Sequence, residues 1–198
     1  GVRYPFDRYH RMELALSAEG RRIRYPDIPA TYEAQFRSAS AAVVRDTVSG
    51  RYLVPLKGTR LRAEVETNRR VLGGTEDYDI YRVEAHQFIP AGGQSTLGLR
   101  LFAQQSGGRD ARIARLGGLG GVRGTARSDL QLIGQYTSLL NAEYRFPVVR
   151  NLDYNLRLVP DLYFKAVYGA VFTDTGFAWD SGAAVRRARL EDAENSVG

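Results

Sequence analysis

The sequence predicts an all-β chain, an antiparallel transmembrane β-barrel seen in part. Three observations carry that expectation. Apolar and polar residues alternate with a period of two along most of the chain. The alternating segments are about 11–17 residues long, against about 5–6 for strands of soluble proteins and about 9–11 to cross a bilayer on a tilt. The apolar face is thin, built largely from Ala, Gly and Thr beside Leu and Val, which suits contact with lipid better than a packed core.

The segments follow in order. Met12-Glu13-Leu14-Ala15-Leu16-Ser17-Ala18 alternates within a strand predicted over 8–22. Predicted spans at 32–47 and 57–70 come next. Within the second, Arg60, Arg62, Glu64 and Glu66 fall on one side and Leu61, Ala63, Val65 and Thr67 on the other. Helical periodicity would mix these two sets. Spans at 77–90 and 94–107 follow, the latter with Leu97, Leu99, Leu101 and Ala103 on one face. In 134–148, Leu140, Ala142, Tyr144 and Phe146 alternate with Asn141, Glu143 and Arg145; a last span is placed at 158–174. Turn chemistry separates them at Pro26 and Pro29, Gly50, Gly73-Gly74, Pro90 with Gly92-Gly93, and Asn151. Long strands joined in this way form a meander. Tyr52, Tyr78, Tyr81, Tyr144 and Tyr163 lie near strand ends, where an aromatic girdle would sit.

Alternation alone fits a soluble β-barrel equally well, with its charged face in water. That alternative, a soluble ligand-binding barrel, stays open beside the membrane reading. The closing residues LEDAENSVG read as the start of a further strand, and an open sheet with a lipid-facing side would leave bare edges that a bilayer forbids. A partial barrel spanning 1–198, with no second domain, is therefore expected.

Composition removes several classes of function. With no cysteine there is no disulfide, thiolate metal site or Cys nucleophile. The two histidines, His10 and His86, are far apart in strand-like contexts, which argues against a His-based metal site or triad. The net charge of +6 is spread through alternating segments, without the basic stripe that nucleic acid requires. No apolar run of about 18 residues exists to form a membrane-spanning helix, which leaves a barrel untouched. No catalytic residue, cofactor or metal is expected, and no enzyme.

The least ordinary segment is GGLGGVRGTARSDL at 117–130, where glycines surround Arg123. A phosphate cradle is rejected: Arg123 stands where the third glycine of G-x-G-x-x-G must fall, and no helix follows. Two readings remain, a solvated external loop or a loop folded back into the barrel. A buried arginine would then need a carboxylate, for which Asp174 in YGAVFTDTGFAWD is the candidate. The plainer role for Asp174 is to end its strand beside Gly176.

Three motifs sharpen the choice. Val122-Arg123-Gly124 after the paired glycines Gly120-Gly121, Asn141-Ala142-Glu143-Tyr144-Arg145-Phe146-Pro147, and Phe172-Thr173-Asp174-Thr175-Gly176 occur in that order. Together they resemble the BamA/TamA-type bacterial surface antigen superfamily of outer-membrane assembly factors and two-partner-secretion transporters. The first is similar to its VRG(Y/F) signature, the second to its N-x-E-(L/Y)-R-F-P strand and the third to its F-x-D-x-G motif. Thr125 stands where an aromatic usually follows the Arg-Gly pair, so the loop tip lacks that ring. The resemblance covers about 94–198, and by strand pattern the whole chain.

The resemblance implies a fragment of a 16-stranded barrel in the bacterial outer membrane, with a loop at about 108–133 folded inward. It implies that Arg123 pairs with Asp174 to lock loop to wall, with Glu143 near that contact and Phe172, Gly120, Gly121, Gly124 and Gly176 as motif residues. It implies outer-membrane lipid, unfolded client or passenger proteins, and periplasmic POTRA repeats or accessory proteins as partners, and no nucleic acid. Assisting insertion or translocation of other proteins is the implied function. A membrane anchor or translocator for an N-terminal passenger, and a passive pore, are the alternatives on the same fold.

Overall fold

The computed structural model describes residues 1–24, 31–51, 54–125, 132–150, 154–155, 163–187, 189 and 192–198. The chain alternates too regularly for helix, and strands dominate. In chain order they are β1 (Val2–Pro5), β2 (His10–Arg24), β3 (Thr31–Asp46), β4 (Ser49–Arg51), β5 (Val54–Asn68), β6 (Tyr78–Pro90) and β7 (Thr96–Gly107). After them come β8 (Ala114–Arg115), β9 (Ile133–Gly134), β10 (Tyr136–Val149), β11 (Tyr154–Asn155), β12 (Tyr163–Phe164), β13 (Val167–Trp179) and β14 (Glu194–Val197).

One antiparallel sheet runs β1-β2-β3-β5-β6-β7-β10-β13-β14, with β4 set beside β5. The order is that of a meander in which the segment between β7 and β10 is the large insertion. The sheet does not close on itself among the described residues.

Register decides which side chains share a face. Leu14 pairs with Ala41, Ala41 with Val65, Val65 with Tyr81, Val83 with Ala103, Leu101 with Leu140, and Tyr144 with Val171. This apolar face is bare: Leu16 is 83% exposed, Val43 58%, Val83 53% and Leu101 52%. Burial is concentrated on the other, charged face. There Ala34, Phe36, Tyr78 and Ile80 form one cluster, and Leu116, Val122, Leu132 and Leu139 a second, with Phe102 against it. A soluble barrel buries its apolar face and wets its charged one. The reverse holds here, as in barrels whose outer surface meets lipid.

The charges of that face neutralise one another in a band across the strands. Arg62 bridges Glu13 at 2.5 Å and Glu64 at 3.3 Å, Arg82 meets Glu66 at 3.0 Å, and Arg100 meets Glu84 at 2.7 Å. Alternate Arg and Glu on neighbouring strands thus compensate across the wall.

Two expectations need correction. The last long strand runs Val167–Trp179 rather than 158–174; of the earlier stretch, 158–162 lies outside the described residues and Tyr163–Phe164 pairs with Tyr154–Asn155 instead. Asp174 is therefore mid-strand and not a terminator. Tyr78 belongs to no girdle, being 3% exposed on the charged face, where the Arg112 guanidinium lies 5.2 Å from its ring centroid. Tyr81 and Tyr144 do stand exposed on the apolar face, whereas Tyr52 and the Tyr163 side chain lie outside the described residues.

Candidate functional site

The site lies where the segment after β7 returns across the charged face. Its root is fixed first. The Asp110 carboxylate accepts from the Asp77 N–H at 2.9 Å and from Arg70 at 3.1 Å, and these two donors hold that carboxyl below its usual range. Arg112 then stacks over Phe36 at 4.6 Å, so an otherwise awkward cation lies on a ring face. Further along, β8 pairs with β9, and Leu116 N–H donates to Leu132 C=O at 2.9 Å.

Glycine permits two close approaches, one within this segment and one between it and the wall. A Cβ on Gly121 would fall 1.6 Å from the Leu116 carbonyl oxygen, because Val122 N–H donates back to that oxygen at 2.8 Å. A Cβ on Gly176, in β13, would fall 2.5 Å from Val122 Cγ2 and 3.0 Å from Leu132 Cδ2. Val122 is fully buried in this notch, and its backbone carries Arg123 to the wall.

Arg123 meets Asp174 along the side of the guanidinium. Its Nε donates to Oδ2 at 2.7 Å and its Nη2 to Oδ1 at 2.7 Å, while its backbone N–H adds a bond to Oδ2 at 3.1 Å. The remaining nitrogen, Nη1, donates to Glu143 Oε2 at 2.5 Å. Underneath, the Phe172 ring centroid lies 3.4 Å from the guanidinium carbon. Fork geometry of this kind is specific to arginine; a lysine ammonium could not reproduce it.

Asp174 has no exposed surface, and its register partner Asn141 donates from Nδ2 to Oδ1 at 2.7 Å. Glu143 also accepts from Arg145 Nε. Two arginines and two carboxylates therefore close a neutral cluster, which is the condition for keeping ions out of water.

The structure thus brings together Arg123, Asp174, Glu143 and Phe172, with Gly121 and Gly176 at the tight approaches. Gly124 has φ +82°, a left-handed conformation, beside Ser196. Gly120 is different: nothing lies within 4 Å of where its Cβ would be. Thr125, in place of an aromatic, donates its hydroxyl to the Val122 carbonyl at 2.7 Å and closes the turn after Arg123. The ring beneath Arg123 is that of Phe172, from the third motif.

Asn141 and Arg145 join the cluster although the resemblance assigns neither a role in it. The pattern holds a usable signal, since Asn141, Glu143 and Arg145 share one face of β10. That Asn141 faces Asp174 depends on the β10–β13 register, which no local motif encodes. The chemistry on offer is mechanical attachment. No group of three or more His, Asp or Glu positioned to hold a metal occurs among the described residues.

No family model and no curated protein matches the sequence. The fold is similar to that in the crystal structure of BamA from Haemophilus ducreyi lacking POTRA domains 1–3, with a TM-score of 0.68 and 13% identity over 99% of this chain. This chain covers 45% of that one. At such identity the likeness is one of architecture: an antiparallel sheet with the course of part of a BamA barrel.

Proposed function

We propose that the chain is the wall of an outer-membrane barrel that assists insertion or translocation of other proteins, with the loop held in the lumen by Arg123, Asp174 and Glu143. The observation that carries this reading is the loop itself. A glycine-rich segment crosses the charged face and commits its one central arginine to a carboxylate with no exposed surface. The inside-out distribution of apolar residues and the BamA-like fold support the membrane setting.

Two experiments test it. In full-length protein folded into vesicles, Leu101→Arg on the bare face should cost about 2–4 kcal/mol, the scale for a cation at the bilayer midplane, whereas Ser17→Arg on the charged face, near Glu19 and Glu66, should cost far less. Equal penalties would contradict the assignment of faces. Separately, vesicles bearing the full-length protein should speed the folding of a second, unfolded outer-membrane barrel, and Arg123→Ala should lower that rate. Ion conductance with no acceleration would favour a passive pore.

A further inference from the structure

The loop is gripped from the wall as well as gripping it. We infer that Arg100 is a second, wall-side anchor, which holds the tip of the loop by a backbone carbonyl while Arg123 holds the following turn. The inference rests on the inward-loop reading above and adds to it a residue that belongs to none of the three motifs.

The tip is a tight turn in which Gly121 N–H donates to Gly118 C=O at 3.0 Å, with Gly118 at φ +97°. The Gly120 carbonyl lies between those two groups and is left outside the turn's own bond. Arg100, on β7, donates to it from Nη1 at 2.9 Å. The same guanidinium is held from behind, because its Nε donates to Glu84 Oε1 at 2.7 Å. His86 Nε2 also lies 3.1 Å from that oxygen.

Arg100 thereby divides its donors between two acceptors, one on the wall and one on the loop. Arg62 and Arg82 turn theirs to wall side chains, Arg62 to Glu13 and Glu64 and Arg82 to Glu66 and Gln104. Asn141 joins the two anchors, bonding Asp174 at 2.7 Å and reaching the Gly121 carbonyl at 3.4 Å.

The two anchors make separable demands. Arg123 needs a particular side chain on each partner. Arg100 needs only a carbonyl at the right place, so the identity of residue 120 is immaterial to it, and Gly120 meets no steric requirement for glycine. The ordinary alternative is that Arg100 merely balances Glu84. Lysine separates the two roles: one ammonium can stay with Glu84 but lacks the fork that spans from Glu84 to the loop.

The test uses full-length protein folded in vesicles, with a nitroxide attached through Leu119→Cys at the tip or, separately, through Thr125→Cys beyond Arg123. The Thr125 label removes the hydroxyl bond to Val122, so each labelled protein with Arg100 and Asp174 intact is its own reference. Leu119 is 93% exposed, so the label displaces no packing. Arg100→Met should raise the mobile fraction of the spectrum at position 119 roughly tenfold, the scale of one lost charge-assisted hydrogen bond, and leave position 125 unchanged. Arg100→Lys should do the same at 119 while the heat-modifiable gel shift of the folded barrel is retained.

A spectrum at 119 that stays immobile in both variants would overturn the inference. So would equal loosening at 119 and 125, because Arg100 would then hold the loop only as a whole. Asp174→Asn, read at position 125, reports on the Arg123 contact by itself, so failure of one anchor is distinguishable from failure of the other.

Discussion

Arg123→Ala is expected to destabilise the folded barrel by about 3–5 kcal/mol, the cost of leaving one member of a buried ion pair behind. Asp174 has no exposed surface and accepts two guanidinium bonds, one backbone bond from Arg123 and one bond from Asn141. The variant removes both guanidinium bonds, and the ring contact with Phe172 goes with them. Asn141 and the backbone N–H of residue 123, both neutral donors, cannot compensate a carboxylate held out of water. The reciprocal change, Asp174→Ala, is expected to cost less. It strands Arg123, which is 21% exposed at its side chain and keeps Glu143. Urea unfolding of the full-length protein in lipid measures both. An Arg123→Ala effect below that of Asp174→Ala would mean that the buried carboxylate is relieved in some other way.

Gly176→Ala is the second large effect, and it acts through shape alone. The added methyl would enter the space of Val122 and Leu132, at 2.5 and 3.0 Å. Both residues are buried, in a cluster completed by Leu116 and Leu139. Overpacking of this kind costs about 1–3 kcal/mol, and here the relief available is for the loop to lift away from β13. Loop release should therefore appear as new protease cleavage at Arg115 or Arg123. The compensating change is Val122→Ala, which opens the notch by two methyls. In the double variant, cleavage should fall back toward the parent level, although Val122→Ala alone weakens the cluster. If Val122→Ala aggravates Gly176→Ala, the clash is not what dislodges the loop.

Much of this architecture is legible in the residues, for a physical reason. A strand with one bare face and one charged face must alternate, so Arg60 to Thr67 discloses both its structure and its two surfaces. Parity alone also separates Tyr78 from Tyr81, since residues three apart on a strand face opposite ways; Tyr78 had to turn to the charged side. The expected span 158–174 ends too early because Asp and Gly are strong breakers taken locally. Asp174 stays in mid-strand because Arg123, fifty-one residues earlier in the chain, satisfies it.

The site divides along the same line. Arg123, Asp174 and Glu143 are readable together from motifs in order, Gly121 from the glycine cluster and Gly176 from the third motif. Asn141 needs the cross-strand register, and Arg100 acts on a carbonyl, which every residue possesses. Recognition through backbone leaves no trace in residue type. At the position of the missing aromatic, the Thr125 hydroxyl closes the turn on the Val122 carbonyl, and the ring beneath Arg123 is the motif residue Phe172.

In the folded protein the loop is joined to the wall through Arg123 and Asp174. A double-mutant cycle in the full-length barrel tests it most directly, comparing unfolding free energies of Arg123→Ala, Asp174→Ala and the pair. Contact predicts a double variant no less stable than Arg123→Ala alone, with a coupling of about 2–3 kcal/mol. Strict additivity of the two single effects would show that the residues do not meet, and would contradict the account.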